Sequence, residues 1–191
     1  MLRSLKWAIA ITMVFGFSAS ASAMGLKEDN AGKCPISGNA AKADATAEHK
    51  GKTVNFCCNG CVASFKKDPE KYTAKVNHQW ASTGKIVQVA CPLTGRPVNA
   101  DAKVDVNGVE VKFCCNGCKG KAEKAEDKVN LVFANISKGY TMQDTCPVSG
   151  RKIDVEKSTT HNGKNVYFCC EGCAAKFKAE PAKFEAKLPK E

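Results

Sequence analysis

Apolar and polar positions alternate in three short stretches of the chain, and each alternation ends on a pair of cysteines. The second stretch shows the pattern best, with Val104-Asp105-Val106 and Val109-Glu110-Val111-Lys112-Phe113 on either side of Asn107-Gly108. Period-two alternation puts every second side chain on one sheet face, and Asn-Gly is a two-residue turn signal. The pattern therefore predicts a β-hairpin with a primed turn. Lys50-Gly51 and Asn162-Gly163 mark the same turn in the other two stretches. Val54 and Phe56, Val111 and Phe113, and Val166 and Phe168 each share one strand face.

Beyond each cysteine pair the period changes. Cys61 and Phe65, like Cys173 and Phe177, stand four residues apart, the spacing of one helix face, so the last cysteine of each stretch is expected to open a helix. A helix N-terminus would stabilise the thiolates of Cys61, Cys118 and Cys173. Asp68-Pro69 and Glu180-Pro181 stop the helix and start another turn, after which Tyr72 and Phe184 return an aromatic ring to the core. The second stretch departs here. Ala122, Glu126 and Val129 replace the Phe, Pro and aromatic, so its tail reads as one helix packed by Leu131 and Phe133. Segments 77–88 and 134–143 read as linkers or added elements, with Trp80 and Tyr140 as packing residues.

The cysteines make this a threefold repeat. They fall at Cys34, Cys57, Cys58 and Cys61; at Cys91, Cys114, Cys115 and Cys118; and at Cys146, Cys169, Cys170 and Cys173. The internal spacing C-x22-CC-x2-C is the same each time, which chance does not produce. Windows 34–61, 91–118 and 146–173 align without a gap. The first-copy residues Cys34, Pro35, Gly38, Gly51, Val54, Phe56, Cys57, Cys58, Gly60 and Cys61 recur in both others.

Ahead of the repeats, residues 1–23 read as a secretory signal peptide. Arg3 and Lys6 are positive, Trp7 to Phe17 is apolar, and Ala21-Ser22-Ala23 offers small residues for cleavage near Ala23. The apolar run is too short to span a bilayer, so no stable membrane insertion is expected after cleavage. Export implies an oxidising compartment, most simply a bacterial periplasm.

Composition narrows the chemistry. Twelve Cys in 191 residues point to metal sites or a disulfide framework, and three His exclude imidazole-rich centres as the main theme. No GxGxxG, GxxxxGK[ST], GxSxG or HExxH string occurs, and no base is paired with a nucleophile, so an enzyme is not expected. The net charge is +10, but Arg3, Arg96 and Arg151 are the only arginines. Lysines at this excess suit solvated helix faces and solubility rather than nucleic-acid recognition, and no nucleic-acid partner is expected.

Each repeat spans about 45 residues, too few for a self-sufficient core, so the four cysteines are the expected staple. Two chemistries are open. Metal–thiolate binding is the first. Cys-Pro-x-[Ser/Thr]-Gly resembles the knuckle of zinc ribbons with its second ligand changed to Ser37, Thr94 or Ser149. The hairpin brings the remaining thiol beside the second knuckle. Four thiolates suit tetrahedral Zn(II); two or three suit soft Cu(I). Adjacent strand residues point to opposite faces, so Cys57 and Cys58 share a metal only if the chain turns between them. Disulfides are the second, joining Cys34 to Cys61 or to a member of the pair. A Cys58-x-x-Cys61 redox pair is a third, enzymatic reading. His49 and His161 share a repeat position and read as exposed strand residues rather than ligands; His78 reads as linker surface.

Those residues resemble the YHS and TRASH domains, relatives of the MYM-type zinc fingers. The resemblance rests on Cys34, Cys57 and Cys61 with Val-x-Phe-Cys before the helix and Phe-x-x-x-Pro-x-Lys-Tyr after it. It covers three tandem copies at 32–76, 89–133 and 144–188, the second with a divergent tail. It implies small α+β, treble-clef zinc-finger-like modules, each a knuckle, a β-hairpin and short helices. It also implies heavy-metal trafficking, resistance or sensing. The triads it carries over are Cys34/Cys57/Cys61, Cys91/Cys114/Cys118 and Cys146/Cys169/Cys173, with Cys58, Cys115 and Cys170 as added ligands. The expectation is a periplasmic soft-metal-binding protein. Copper or zinc would be held by thiolates at up to one ion per repeat. A metal transporter or other envelope metal-handling protein would be its partner. A disulfide- or zinc-stapled protein-interaction module is the alternative.

Overall fold

The computed structural model describes residues 31–189, so the signal peptide expected at residues 1–23 lies outside the described residues. One order of elements recurs three times. A tight turn carries the first cysteine, a two-stranded antiparallel hairpin follows, and a helix starts at the cysteine pair. In the first module β1 (Lys42–His49) pairs with β2 (Lys52–Phe56), and α1 (Asn59–Lys67) follows. Helix α2 (Thr73–Ser82) and strand β3 (Val87–Gln88) lead to the second module. There β4 (Asn99–Val106) pairs with β5 (Val109–Phe113), followed by α3 (Asn116–Lys124) and α4 (Lys128–Phe133). Strand β6 (Tyr140–Thr141) pairs back onto β3, closing a small ribbon around the second module. In the third, β7 (Asp154–His161) pairs with β8 (Lys164–Phe168), and α5 (Glu171–Ala179) ends the repeat.

The hairpins form where the alternation places them. Lys50, Asn107 and Asn162 have φ of 47°, 53° and 50°, and the glycines after them are also left-handed, as a type I′ turn demands. Val54, Phe56, Val111, Phe113 and Phe168 are fully buried, and Val166 nearly so. Each hairpin also carries a register shift, between Lys42 and Thr46 in the first copy and at the matching place in the others.

Several expectations are corrected. The helices begin at Asn59, Asn116 and Glu171, two residues before the last cysteine, because the chain bends at the pair and Cys58, Cys115 and Cys170 become the N-caps. The tail of the second copy is two helices: Asp127 accepts the Asn130 N–H and caps a new one. In that helix Val132 and Phe133 pack inward, whereas Leu131 is exposed. Segment 77–88 is largely structured. Val76 and Trp80 on α2 are buried against α4 and the strands of both modules. Asn77 donates to Phe133 O at 2.8 Å, and His78, far from bare linker surface, bonds Val106 O at 2.9 Å and sits edge-on to Phe133. His49 and His161 are half-buried rather than exposed, each edge-on to a phenylalanine, Phe65 or Phe177.

Candidate metal centres

Each centre is built on a knuckle that backbone bonds close. Cys34 N–H donates to Asn39 O at 2.7 Å and Gly38 N–H returns to Cys34 O at 2.9 Å; the same pair of bonds recurs at Cys91 and Cys146. Gly38, Gly95 and Gly150 take φ of 77°, 73° and 72°, a left-handed turn that glycine adopts without strain. The turn leaves Cys34, Cys91 and Cys146 almost fully buried.

A glutamine in each module fastens this knuckle to the strand that carries the cysteine pair. Gln79 accepts the Asn55 N–H at 3.0 Å and donates to Asn55 O at 2.6 Å and Lys33 O at 2.8 Å. Gln88 does the same with Lys112 and Ala90, and Gln143 with Tyr167 and Thr145. The amide acts as one more rung of sheet pairing, satisfying outward-facing backbone groups that are buried in the first and third copies and exposed at Lys112 in the second. Gln88 and Gln143 each stand three residues before a first cysteine, a spacing the sequence offered. Gln79 reaches the equivalent place from α2, after its repeat instead of before it.

The result is three thiol triads: Cys34/Cys57/Cys61, Cys91/Cys114/Cys118 and Cys146/Cys169/Cys173. Within each, the sulfurs lie within 4.8 Å of one another, and each triad could hold a metal ion. These are nine of the twelve cysteines named from the sequence. The other three, Cys58, Cys115 and Cys170, stand outside the triads, each with its sulfur 3.8 Å from that of the preceding cysteine. None of the twelve is in a disulfide. Two thiolates bonded to one ion at about 2.3 Å can be as far apart as roughly 4.6 Å, so the 3.6–3.7 Å between the second and third sulfurs of each triad suits a shared soft ion. His49, His78 and His161 belong to no triad. A wide cleft of about 1470 Å³ between the third module and the first two is lined by no cysteine and does not overlap these centres.

Hydroxyls complete the inner surface. Ser37 Oγ is 3.2 Å from Cys57 Sγ, Thr94 Oγ1 3.3 Å from Cys114 Sγ, and Ser149 Oγ 3.2 Å from Cys169 Sγ. The third residue after each knuckle cysteine thus stands at the site as a partner to sulfur.

Ionisation is divided unevenly among the thiols. Burial opposes charge on Cys34, but the Ser37 hydroxyl and the N–H groups of Ser37, Cys57 and Ile36 outweigh it and bring the pKa down to about 6. At Cys91 burial is offset by Thr94 and by the N–H groups of Cys114, Leu93 and Thr94, and the value falls to about 7. Cys146 is lowered in the same way, through Ser149. Cys61, Cys118 and Cys173 go the other way, to about 12, first by burial and then because neighbouring thiols hold their protons in place. This overturns the expected helix-terminal activation of those three. The helix starts earlier than expected, and its N-terminus serves Cys58, Cys115 and Cys170, whose pKa values are lowered chiefly by the N–H of Cys61, Cys118 and Cys173. Arg151 adds a positive charge to the third centre, with Nη2 3.9 Å from Cys170 Sγ.

The chain is therefore a set of small α+β modules bearing three cysteine clusters able to hold metal ions. No protein-family model, curated protein or solved structure matches it.

Proposed function

We propose that this is an exported soft-metal-binding protein, working in a bacterial periplasm in metal sequestration, trafficking or resistance, with copper as its main cargo. The observation that carries the reading is the threefold recurrence of a three-thiol cluster in one geometry. Three sulfurs with a hydroxyl beside them favour a soft monovalent ion over Zn(II), which prefers four strong donors. The order of knuckle, hairpin and helix supports a treble-clef-like module of the YHS/TRASH kind, and the motifs quoted above are what tie it to that family. Transfer proceeds by ligand exchange and needs no covalent chemistry, so the protein is not an enzyme. Its partners are metal ions and an envelope metal transporter or similar metal-handling protein.

The test is one preparation, purified from periplasm without added metal. Free thiols are counted with and without denaturant and reductant, and metals are measured by mass spectrometry. One copper ion per triad, with all twelve thiols recovered without reductant, is the expected result. No metal, with thiols appearing only after reduction, overturns it in favour of a disulfide-stapled interaction module. Zinc that cannot be removed without unfolding supports a zinc-stapled one.

One observation favours a second reading, a thiol oxidoreductase. Cys58 at the helix N-cap has a lowered pKa and Cys61 three residues on has a raised one, the division of labour that thiol–disulfide exchange uses. Insulin reduction that disappears in Cys58→Ser would establish it.

A further inference from the structure

Cys58, Cys115 and Cys170 form the one recurrent part of each cluster that the triads leave aside. All three occupy the N-cap in nearly the same extended backbone, with φ of −163°, −161° and −166°. Cys58 is exposed and the other two are partly so, whereas the knuckle thiols Cys34, Cys91 and Cys146 are buried. The pair sulfurs are 3.8 Å apart in every copy, close enough for one ion to bond both at about 2.3 Å. From the first cysteine of the pair to the triad's third is a further 3.6 Å in the first copy and 3.7 Å in the others. A chain of short sulfur–sulfur steps thus leads from the outer cysteine into the triad, where the buried knuckle sulfur lies within 4.8 Å of the other two.

The glycine that follows makes the same point from another side. Gly60, Gly117 and Gly172 lie in helices, and their φ is not left-handed, so the backbone does not require glycine there. Glycine inside a helix costs about 0.5–1 kcal/mol relative to alanine. A Cβ on Gly60 would sit 3.8 Å from Cys58 Sγ and one on Gly117 3.7 Å from Cys115 Sγ; at Gly172 the space is open. A β-branched side chain at Gly60 or Gly117 would therefore lie over the outer sulfur. Glycine leaves that sulfur open to solvent.

We propose that Cys58, Cys115 and Cys170 are transfer thiols, through which a soft metal ion enters and leaves the triads, and that the adjacent glycines keep the path clear. The inference rests on the metal-binding reading and says how that site exchanges its cargo. In uptake, the outer thiol loses its proton to solvent as its sulfur bonds the ion, and one bond from the ion to its donor ligand breaks. The first cysteine of the pair and then the other triad thiols bond the ion, each giving its proton to solvent as it displaces a remaining donor bond, and the outer bond breaks last, its sulfur taking a proton back from solvent. The ion's oxidation state is unchanged throughout.

The experiment loads the full mature chain anaerobically with Cu(I). It measures stoichiometry, affinity by competition with bicinchoninate, and the rate of release to that chelator by stopped flow. In the variant Cys58→Ser/Cys115→Ser/Cys170→Ser, stoichiometry and affinity should hold while release slows by about tenfold or more. Gly60→Val/Gly117→Val should slow release with every thiol still present, whereas Cys57→Ser should lower affinity. If the triple variant loses affinity as Cys57→Ser does, the outer thiols are ordinary ligands and the proposal fails. It also fails if neither the triple nor the glycine variant changes the rate. A wild-type chain that takes up no Cu(I) removes the metal-binding reading itself, a result distinct from either of these.

Discussion

The first two modules and the third carry the same thiol triad but are held together differently. Modules one and two share one continuous apolar core, running from Cys34 through Phe56, Phe65 and Trp80 to Phe113, Phe133 and Tyr140. The third has its own core of Cys146, Val166, Phe168, Cys173 and Phe177, with Phe184 and Leu188 packed at its edge. The difference traces to the tails. In the third copy Phe184 packs 6.3 Å from Phe177, as Tyr72 packs on Phe65 in the first. In the second copy Ala122 takes the place of that phenylalanine, and α2 of the first module docks on α4. The triads did not change with this rearrangement. Their geometry is set by the knuckle, the hairpin and the glutamine clamp, which recur in all three copies; in the first copy the clamping Gln79 comes from α2, the helix that docks on α4.

The first way to break the comparison is to remove the metal. A core of five buried residues is too small to stand alone, so the third module should depend on its ion far more than the joined pair does. An ion present at a thousand times its dissociation constant stabilises the state that binds it by about 4 kcal/mol. Stripping with chelator under reducing conditions should therefore expose the amides of β7, β8 and α5 to hydrogen exchange while those of β4, β5 and α2 stay protected. Equal loss in both regions would show that the shared core contributes nothing extra.

The converse attacks the shared core. Trp80 is fully buried, its indole N–H donates to Thr53 O at 3.0 Å, and His49 stacks on it at 6.0 Å. Trp80→Ala should cost the joined pair about 3–5 kcal/mol. The unfolding of the third module, followed by hydrogen exchange in urea, should not move. A parallel shift there would mean that one cooperative unit spans all three modules.

What could be read beforehand divides along similar lines. The repeats, the hairpins, their left-handed turns and the knuckles are local patterns, and the residues of Val109 to Phe113 or Asn107-Gly108 carry them in full. The start of the helix is not legible locally, because a cysteine pair is not among the usual capping residues and nothing nearby in the sequence says that Cys58 and not Cys61 faces the helix end. The split among thiol pKa values follows from that bend and from burial, which spacing does not show. Docking of α2 on α4 is not legible although Val76 and Trp80 stand four apart, because their partners lie in another repeat. The Gln79 clamp is hidden for another reason: its equivalents precede their repeats, and it follows its own.

A subtler contrast lies within the joined pair. Cys34 is held at about 6 by donors that include the Ser37 hydroxyl, and Cys91 at about 7 by donors that include the Thr94 hydroxyl. The thiolate is the ligand, so protons compete as pH falls through each value, and the second site meets that competition first. Above pH 7 the two knuckle thiols should bind alike. Below pH 6 the second site should be weaker by about tenfold from this cause, the worth of one pKa unit. Copper titrations at pH 7.5 and 5.5 on chains keeping only one intact triad would check it. A first site that weakens sooner would reverse the assignment.

The smallest effect tests how far the two regions lean on each other. Lys52 on β2 meets Asp144, just ahead of the third knuckle, at 3.4 Å, and the carboxylate is about one-third exposed. Asp144 also accepts the Ile153 N–H through its backbone oxygen, a bond its side chain does not affect. Partly exposed pairs of this kind are worth about 0–1 kcal/mol and weaken with salt. Asp144→Asn should thus lower the midpoint of the third module only slightly, and less at 1 M salt than at low salt, leaving the joined pair where it was. A loss of several kcal/mol would instead make the ion pair a structural tie. The third module would then borrow stability from the first two through Lys52, and the separation of the two cores would no longer describe how the chain unfolds.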